Sequence, residues 1–307
     1  MVIKKILFII DSPETLKPEK DTSLLMMKTS FNLGHQVFFC SFKDISIKKN
    51  IPSGNIKLIN KFDNTLSFFT EQTLNLNNLD TIFIRKDPPF DKDYLFLTIT
   101  LDLLRKTKII NHPKSLQSHN EKLSILKFPN IIPPTLVSSN YSEFQSFIKK
   151  HRSVVCKPID EMGGNKIFLI NQGDPNTKVI LEVLSNNFDS LIMLQEFIPD
   201  IKRGDKRIII VNGDPIEFGL LRIPQHNDFR GNLAKGGKAK LSPLTSNDLK
   251  IINALKPYLI NNNLHFVGID VIGNFLTEIN VTSPTGVVEI EQLSKTNVSK
   301  KIIQALV

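Results

Sequence analysis

Gly268-Ile269-Asp270-Val271-Ile272-Gly273-Asn274-Phe275-Leu276-Thr277-Glu278-Ile279-Asn280 reads as two short apolar strands folded back at a glycine turn. Side chains alternate along a strand, so Glu278 and Asn280 share one face and Ile279 faces the core. A two-residue loop at Gly273-Asn274 sets Asp270 opposite Thr277, on the wrong face. A three-residue loop, or a bulge, sets Asp270 opposite Glu278. Two carboxylates and an amide oxygen form a hard, oxygen-only donor set of the kind magnesium prefers. The metal reading therefore predicts the second geometry. The same residues also suit an ordinary hairpin with exposed polar side chains.

Upstream of this hairpin the chain changes texture twice. Ile3–Ile10 is an apolar run typical of a strand covered on both faces. A helix over Thr22–Leu33 follows, with Asp21 as N-cap and Gly34 as its stop. Further strands are expected at Gln36–Ser41, Leu79–Arg85 and Ile109–Asn111, with a helix over Tyr94–Lys106 between the last two. Strand–helix alternation argues a parallel α/β sheet, whose ligands sit beyond the carboxyl ends of its strands. Asp11-Ser12 and Arg85-Lys86-Asp87 occupy such ends. Ser118–Phe128 reads as a helix. Short strands at Val154–Lys157, Ile167–Ile170 and Ile192–Phe197 surround a glycine loop and a helix near Val179–Leu184. From about residue 201 hairpins dominate, one of them turning at Asn212-Gly213-Asp214. A helix over Leu249–Leu259 is expected to kink or end early at Pro257. Three lobes follow, at residues 1–120, 121–200 and 201–307.

Composition narrows the function. The chain has 307 residues, two cysteines and a formal charge of +9. Two cysteines exclude a disulfide scaffold, a cysteine zinc module and an iron–sulfur protein. No apolar stretch reaches the ~18 residues of a membrane span, and the opening residues read as a strand rather than a signal peptide. The charge invites a nucleic-acid reading, but no basic stripe with interleaved aromatics accompanies it. Lysine supplies 32 of the 39 basic residues beside 28 asparagines, which fits compositional bias.

Arginine is informative because it is scarce. Four of the seven, Arg85, Arg207, Arg222 and Arg230, fall in segments with other candidate features. Bidentate binding of carboxylate or phosphate needs the guanidinium fork, so these four argue an anionic substrate. Lys122 and Lys157 form a second set. Lys157 ends a strand before Pro158, and Asp160-Glu161-Met162-Gly163-Gly164 follows, where paired glycines allow backbone N–H groups near phosphate oxygens. Neither a Walker nor a GxGxxG spacing is present. Gln195-Glu196-Phe197-Ile198-Pro199 can offer a carbonyl and an N–H to an adenine edge, or can be a buried edge strand. Arg230-Gly231-Asn232-Leu233-Ala234-Lys235-Gly236-Gly237-Lys238 suits a mobile lid over an anion, or a solvated linker. Cys40 and Cys156 read as buried structural residues. The six histidines make no zinc or triad pattern.

Several segments, in order, resemble one family. These are Arg85-Lys86-Asp87-Pro88-Pro89-Phe90-Asp91, Asn120-Glu121-Lys122-Leu123, Gly204-Asp205-Lys206-Arg207, Arg222-Ile223-Pro224-Gln225, Gly268–Gly273 and Thr277–Thr285. Together with the lysine pair and the glycine loop they resemble the bacterial type of glutathione synthetase, an ATP-grasp ligase, from about Ile3 to Ile302. The resemblance implies an ATP-grasp fold: an N-terminal parallel α/β domain and two α+β lobes enclosing the nucleotide. It implies ATP-dependent joining of γ-glutamylcysteine and glycine through an acyl phosphate, with release of ADP and phosphate. Other ATP-grasp carboxylate–amine ligases and a basic nucleic-acid-binding protein are the alternatives.

The same resemblance assigns roles residue by residue. Lys122, Lys157, Gly163 and Gly164 would contact nucleotide phosphates, Glu196 and Ile198 adenine, and Asp205 the ribose. Asp270, Glu278 and Asn280 would hold magnesium, or manganese in its place. Arg207 would face the transferred phosphoryl group, with Arg222, Arg230, Gly236 and Gly237 covering the substrates. Asp21, Ser23 and Arg85 would hold the dipeptide and glycine. A cytoplasmic homotetramer with no nucleic-acid or membrane partner is implied. One departure stands out: Glu161 occupies a position of the phosphate loop where the family usually has glycine.

Overall fold

A computed structural model describes residues 2–225, 228, 230, 231 and 236–307. The expected first strand, Lys5–Ile10, lies in a seven-stranded sheet and is buried from Ile6 to Ile10. It pairs in parallel with Gln36–Cys40 on one side and Thr81–Arg85 on the other, and Thr81–Arg85 pairs in parallel with Lys108–Ile110. Three strands at one edge were not anticipated: Ile45–Lys48, Ile51–Ile59 and Phe69–Asn75, all antiparallel. Phe69–Asn75 is exposed over most of its length, so it lacks the apolar run that marks a buried strand.

The helix Thr22–Asn32 starts where expected, with the Asp21 carboxylate accepting from Leu24 N at 2.8 Å. Its end uses Gly34 at φ +84°, a left-handed turn that favours glycine. The second helix is shorter than expected, Lys92–Leu101. Residues 118–128 are not one helix. A short helix, Pro113–Ser118, is followed by a 3-10 turn over Leu123–Lys127. The break lets the Asn120 side-chain Oδ1 accept from Lys122 N and Leu123 N, at 2.9 and 3.0 Å.

The second sheet is a four-stranded antiparallel layer in the order Phe168–Asn171, Ser153–Pro158, Ile192–Glu196, Thr135–Ser138. Helices Tyr141–His151 and Thr177–Leu184 contribute to its own small core, which includes Phe144, Ile148, Val154, Cys156, Leu181 and Leu194. The third sheet runs Lys238–Pro243, Phe218–Ile223, Asp205–Val211, Phe266–Ile272, Phe275–Asn280. The Asn212-Gly213 turn has positive φ at both residues, as a tight hairpin requires. Pro257 does not end its helix, which spans Ser246–Asn261. Leu255 and Leu259 are both fully buried, and this burial outweighs the missing N–H.

The first and third sheets share two continuous cores, whereas the second has one to itself. A polar staple joins the shared pair. The Asn111 amide donates to Phe266 O and Val281 O at 2.8 and 2.7 Å and accepts from Phe266 N at 2.8 Å. The middle lobe is therefore the one with the least apolar surface committed to its neighbours, and it faces the third sheet across the site.

Candidate functional site

The hairpin has the register the donor set requires, and reaches it through a bulge, one of the two geometries the sequence allowed. The turn is two residues, Gly273-Asn274, giving Ile272 opposite Phe275 and Val271 opposite Leu276. A bulge then shifts the pairing, so Asp270 faces Glu278 and Gly268 faces Asn280. Thr277, the residue the bulge leaves over, donates its hydroxyl to Asp270 O at 3.1 Å.

Neighbouring strands bring two arginines onto Asp270. Arg207 lies directly opposite it in the ladder and grips it with both prongs, Nε to Oδ1 at 2.6 Å and Nη2 to Oδ2 at 3.0 Å. Arg222 Nη2 reaches Oδ1 at 2.9 Å and also binds Asp205, while Asn280 Nδ2 donates to Oδ2 at 3.2 Å. A carboxylate has about four lone-pair positions, and here all are taken. Burial opposes the charge on Asp270, but Arg207 and Arg222 overcome it and hold the group well below the usual carboxylate range. Asp205 behaves differently. Burial, reinforced by Asp270 and Glu278, pushes it up to about 7 against the pull of Arg222 and Arg207. Its Oδ1 is buried and has no partner among the described residues.

Lys157 and Lys122 enter the same cavity, of about 170 Å³, between the second and third sheets. Lys157 Nζ stands 3.6 Å from Glu278 Oε1, and burial lowers its pKa although Glu278 counteracts this. Lys122 Nζ donates to Glu161 O across the loop mouth. Gly163 and Gly164 adopt φ of +67° and +74°, and nothing lies within 4 Å of where a Gly163 Cβ would stand, so the loop is open on the cavity side. Glu161 pairs with Lys166 at 2.5 Å, which offsets the carboxylate this chain carries there. Arg230 Nη1 touches Gly164 O at 3.3 Å and its other nitrogens hold Asp228, so the segment at Arg230 meets the Gly163-Gly164 turn.

At the far end, Glu196 N donates to Pro134 O at 2.9 Å. Opposite strands normally exchange two such bonds, but proline has no N–H to return. The Glu196 carbonyl therefore receives no N–H from Pro134, while its own N–H is taken. Ile198 also lines this end.

A second cavity of about 530 Å³ lies between the first and third sheets, lined by Asp21, Ser23 and Arg85 among others. Arg85 is buried. Its Nε donates to Ser23 Oγ and its Nη2 to Pro284 O, both at 3.0 Å, and Nη1 is buried without a partner among the described residues. The residues lining both cavities are Glu121, Met162, Gly163, Arg207, Arg222 and Asn280.

Of the residues expected from sequence, Gly236 and Gly237 are not brought to either cavity. Gly236 O instead accepts from Gln225 Nε2 at 2.8 Å. Asn232–Lys235 of the expected lid lie outside the described residues. Cys40 and Cys156 are buried and free, and burial pushes the Cys156 thiol up to about 12. Sequence reasoning missed Glu121 and Asp228. Glu121 sat in the quoted Asn120–Leu123 segment, but nothing local distinguishes it from a solvated acid.

Comparison with known proteins shows the family. The family model "prokaryotic glutathione synthetase, N-terminal domain" matches residues 4–117, and the ATP-grasp domain model of the same family matches residues 121–295. A glutathione synthetase of Vibrio vulnificus (strain YJ016) is 38% identical, covering 98% of this chain and 96% of its own. One of Escherichia coli O157:H7 is 38% identical over 98% of both chains. Among solved structures, a D-cycloserine synthetase matches with a TM-score of 0.69 at 13% identity over 98% of both chains. A RiPP-associated ATP-grasp ligase of Chryseobacterium gregarium, in complex with ADP and a leader and core peptide, matches with a TM-score of 0.67 at 18% identity, covering 98% and 96%. At such identities the structural likeness speaks for the fold alone, which is ATP-grasp.

Proposed function

Because the chain belongs to the prokaryotic glutathione synthetase family, we propose how its residues divide that family's reaction among them. The chain is an ATP-dependent ligase that synthesises glutathione. The observation that carries the division is the meeting of two cavities at Arg207 and Arg222, one lined by the lysine pair and glycine loop and the other by Arg85, Ser23 and Asp21.

The smaller cavity takes ATP. The Glu196 carbonyl and the Ile198 backbone receive adenine, Asp205 the ribose, and Lys122, Lys157 and the Gly163-Gly164 turn the phosphates. The larger cavity takes γ-glutamylcysteine and glycine, with the buried Arg85 guanidinium supplying positive charge at its wall for a carboxylate. The dipeptide carboxylate attacks the γ-phosphorus. Arg207 and Arg222 neutralise charge that builds on the transferred oxygens. The resulting acyl phosphate accepts the glycine amine, and phosphate leaves. Arg230 closes the lid base over the phosphate loop and excludes water, which would otherwise hydrolyse the acyl phosphate.

Asp270, Glu278 and Asn280 fit a divalent ion, magnesium or manganese, in donor type and in sharing one face of the hairpin. Such an ion, when bound, neutralises phosphate charge. The fit has a condition, because Asp270 is saturated. Three cations, Lys157, Arg207 and Arg222, are paired with three carboxylates, Asp205, Asp270 and Glu278. Arriving phosphates would attract the cations and leave Asp270 and Glu278 free to hold such an ion with Asn280. This exchange keeps the buried charge near balance, as a low-dielectric site requires.

The division by lobes follows: residues 1–120 hold the substrates, 121–200 cover the nucleotide, and 201–307 carry the metal site and mobile loop. Family likeness supports a cytoplasmic homotetramer without nucleic-acid or membrane partners. Among the described residues no helix is long and apolar enough to cross a membrane. The test is ADP release with ATP, γ-glutamylcysteine and glycine, omitting each in turn. ADP should require the dipeptide, and glutathione should require glycine as well. Release of ADP regardless of the dipeptide would overturn the assignment.

A further inference from the structure

We propose that Glu121 is the base that takes the proton from the incoming amine, an inference that rests on the ligase reading above. The amine arrives as an ammonium, which has no lone pair with which to attack the acyl phosphate. A base must stand where the nucleotide and substrate cavities meet. Of the described residues lining both, Glu121 alone can accept a proton: Arg207 and Arg222 are permanent cations, and Met162, Gly163 and Asn280 are not bases.

The placement of the carboxylate suits the task. Oε1 accepts from the Thr282 hydroxyl at 2.7 Å, which fixes the side chain. Oε2 makes no hydrogen bond among the described residues and is not sealed off. The backbone is pinned as well, because Ile279 N donates to Glu121 O at 2.9 Å. Glu121 makes no hydrogen bond to Asp270, Glu278 or Asn280 among the described residues. The charged and titratable groups around it are Lys122 on its own segment, Glu278 and Arg207 from the third sheet, and Tyr94 from the helix Lys92–Leu101. Burial raises its pKa to about 7; Glu278 adds to the rise, and Thr282, Lys122 and Arg207 oppose it. A base near neutrality is matched to proton transfer at working pH.

The step balances. The ammonium N–H bond breaks and its proton joins Oε2, leaving the electron pair on nitrogen. That pair forms the C–N bond at the acyl carbon. The C–O bond to phosphate then breaks, and phosphate leaves with the bonding pair. The second N–H proton departs with the phosphate.

Hydroxylamine separates this role from others, because it is largely unprotonated at neutral pH and needs no base. In Glu121→Gln, glycine-dependent tripeptide formation should fall by about 10²–10⁴-fold, while hydroxamate formation from ATP, γ-glutamylcysteine and hydroxylamine stays near wild type. Raising the pH should restore the glycine reaction as free amine accumulates. Equal loss with both nucleophiles, or unchanged turnover with glycine, would overturn the proposal. Absence of ATP-dependent glutathione formation with glycine in the wild-type enzyme would overturn the ligase reading instead, and this proposal with it. Thr282→Val provides a second test. Losing the hydroxyl raises the Glu121 pKa, so the acidic limb of kcat/KM for glycine should move to higher pH. An unmoved limb would count against Glu121.

Discussion

Replacing Arg222 with methionine should make the site bind a divalent ion without nucleotide. In the unliganded protein Asp270 accepts from Arg207 twice, from Arg222 and from Asn280. A metal that approaches alone must displace one of these donors. A hydrogen bond to a charged group is worth about 1.5–3 kcal/mol, so the displacement weakens metal binding by roughly 10- to 100-fold. Arg222→Met opens one lone pair of Asp270 and also tips the three-against-three balance of cations and carboxylates towards negative charge. Both effects favour the ion. Titration with manganese(II), followed by electron paramagnetic resonance of the free ion, should show weak binding to the wild type and about 10- to 100-fold tighter binding to the variant. With ADP present the wild type should bind well, because phosphate draws the arginines away. Loss of a partner from buried Asp205 costs about 3–5 kcal/mol, so circular dichroism must first establish that the variant is folded. Equal manganese affinity for the folded variant and wild type, or tight binding to the wild type without nucleotide, would refute the exchange of partners.

Three other outcomes follow from the geometry. The Glu121 pKa is raised by folding from 4.5 to about 7, so the folded state holds the extra proton and stability falls as pH rises through that window. Glu121→Gln should therefore raise stability at alkaline pH by up to about 3 kcal/mol, and urea melts should show the gain shrinking to nothing below the unfolded-state value. A Cβ on Gly268 would stand 3.0 Å from Arg207 Cδ and 3.1 Å from Pro284 Cβ, so Gly268→Ala should lower kcat through displacement of the guanidinium while the melting temperature moves little. Arg230→Ala removes the contact between lid base and phosphate loop, so ADP release should outrun glutathione formation; parallel assays of both products check this, and unchanged coupling would speak against the lid role.

The sequence by itself determined the elements whose signals are local. Asp21 and Gly34 mark the ends of the first helix because capping depends on neighbours three residues away. The buried strands Lys5–Ile10 and Thr81–Arg85 declare themselves as unbroken apolar runs. Alternation puts Glu278 and Asn280 on one face whatever surrounds them. Local signals failed where tertiary burial overrides propensity. The helix Ser246–Asn261 continues through Pro257 because Leu255 and Leu259 are anchored in a core formed by distant segments. The edge strand Phe69–Asn75 forms by pairing alone, with little apolar pattern to announce it.

Only the tertiary structure decided how the site is wired. A two-residue turn reads as the wrong register for Asp270, and it takes the bulge at Thr277 to bring Asp270 opposite Glu278. That bulge has no local signature. The ladder that sets Arg207 against Asp270 joins residues 63 apart, so no window of sequence contains it. Glu121 is ordinary in its own segment and gains its chemistry from Thr282, 161 residues away, and from the two cavities that meet beside it. Residue types and their alternation are properties of the chain, whereas desolvation, pairing and pKa are properties of the space that distant strands enclose.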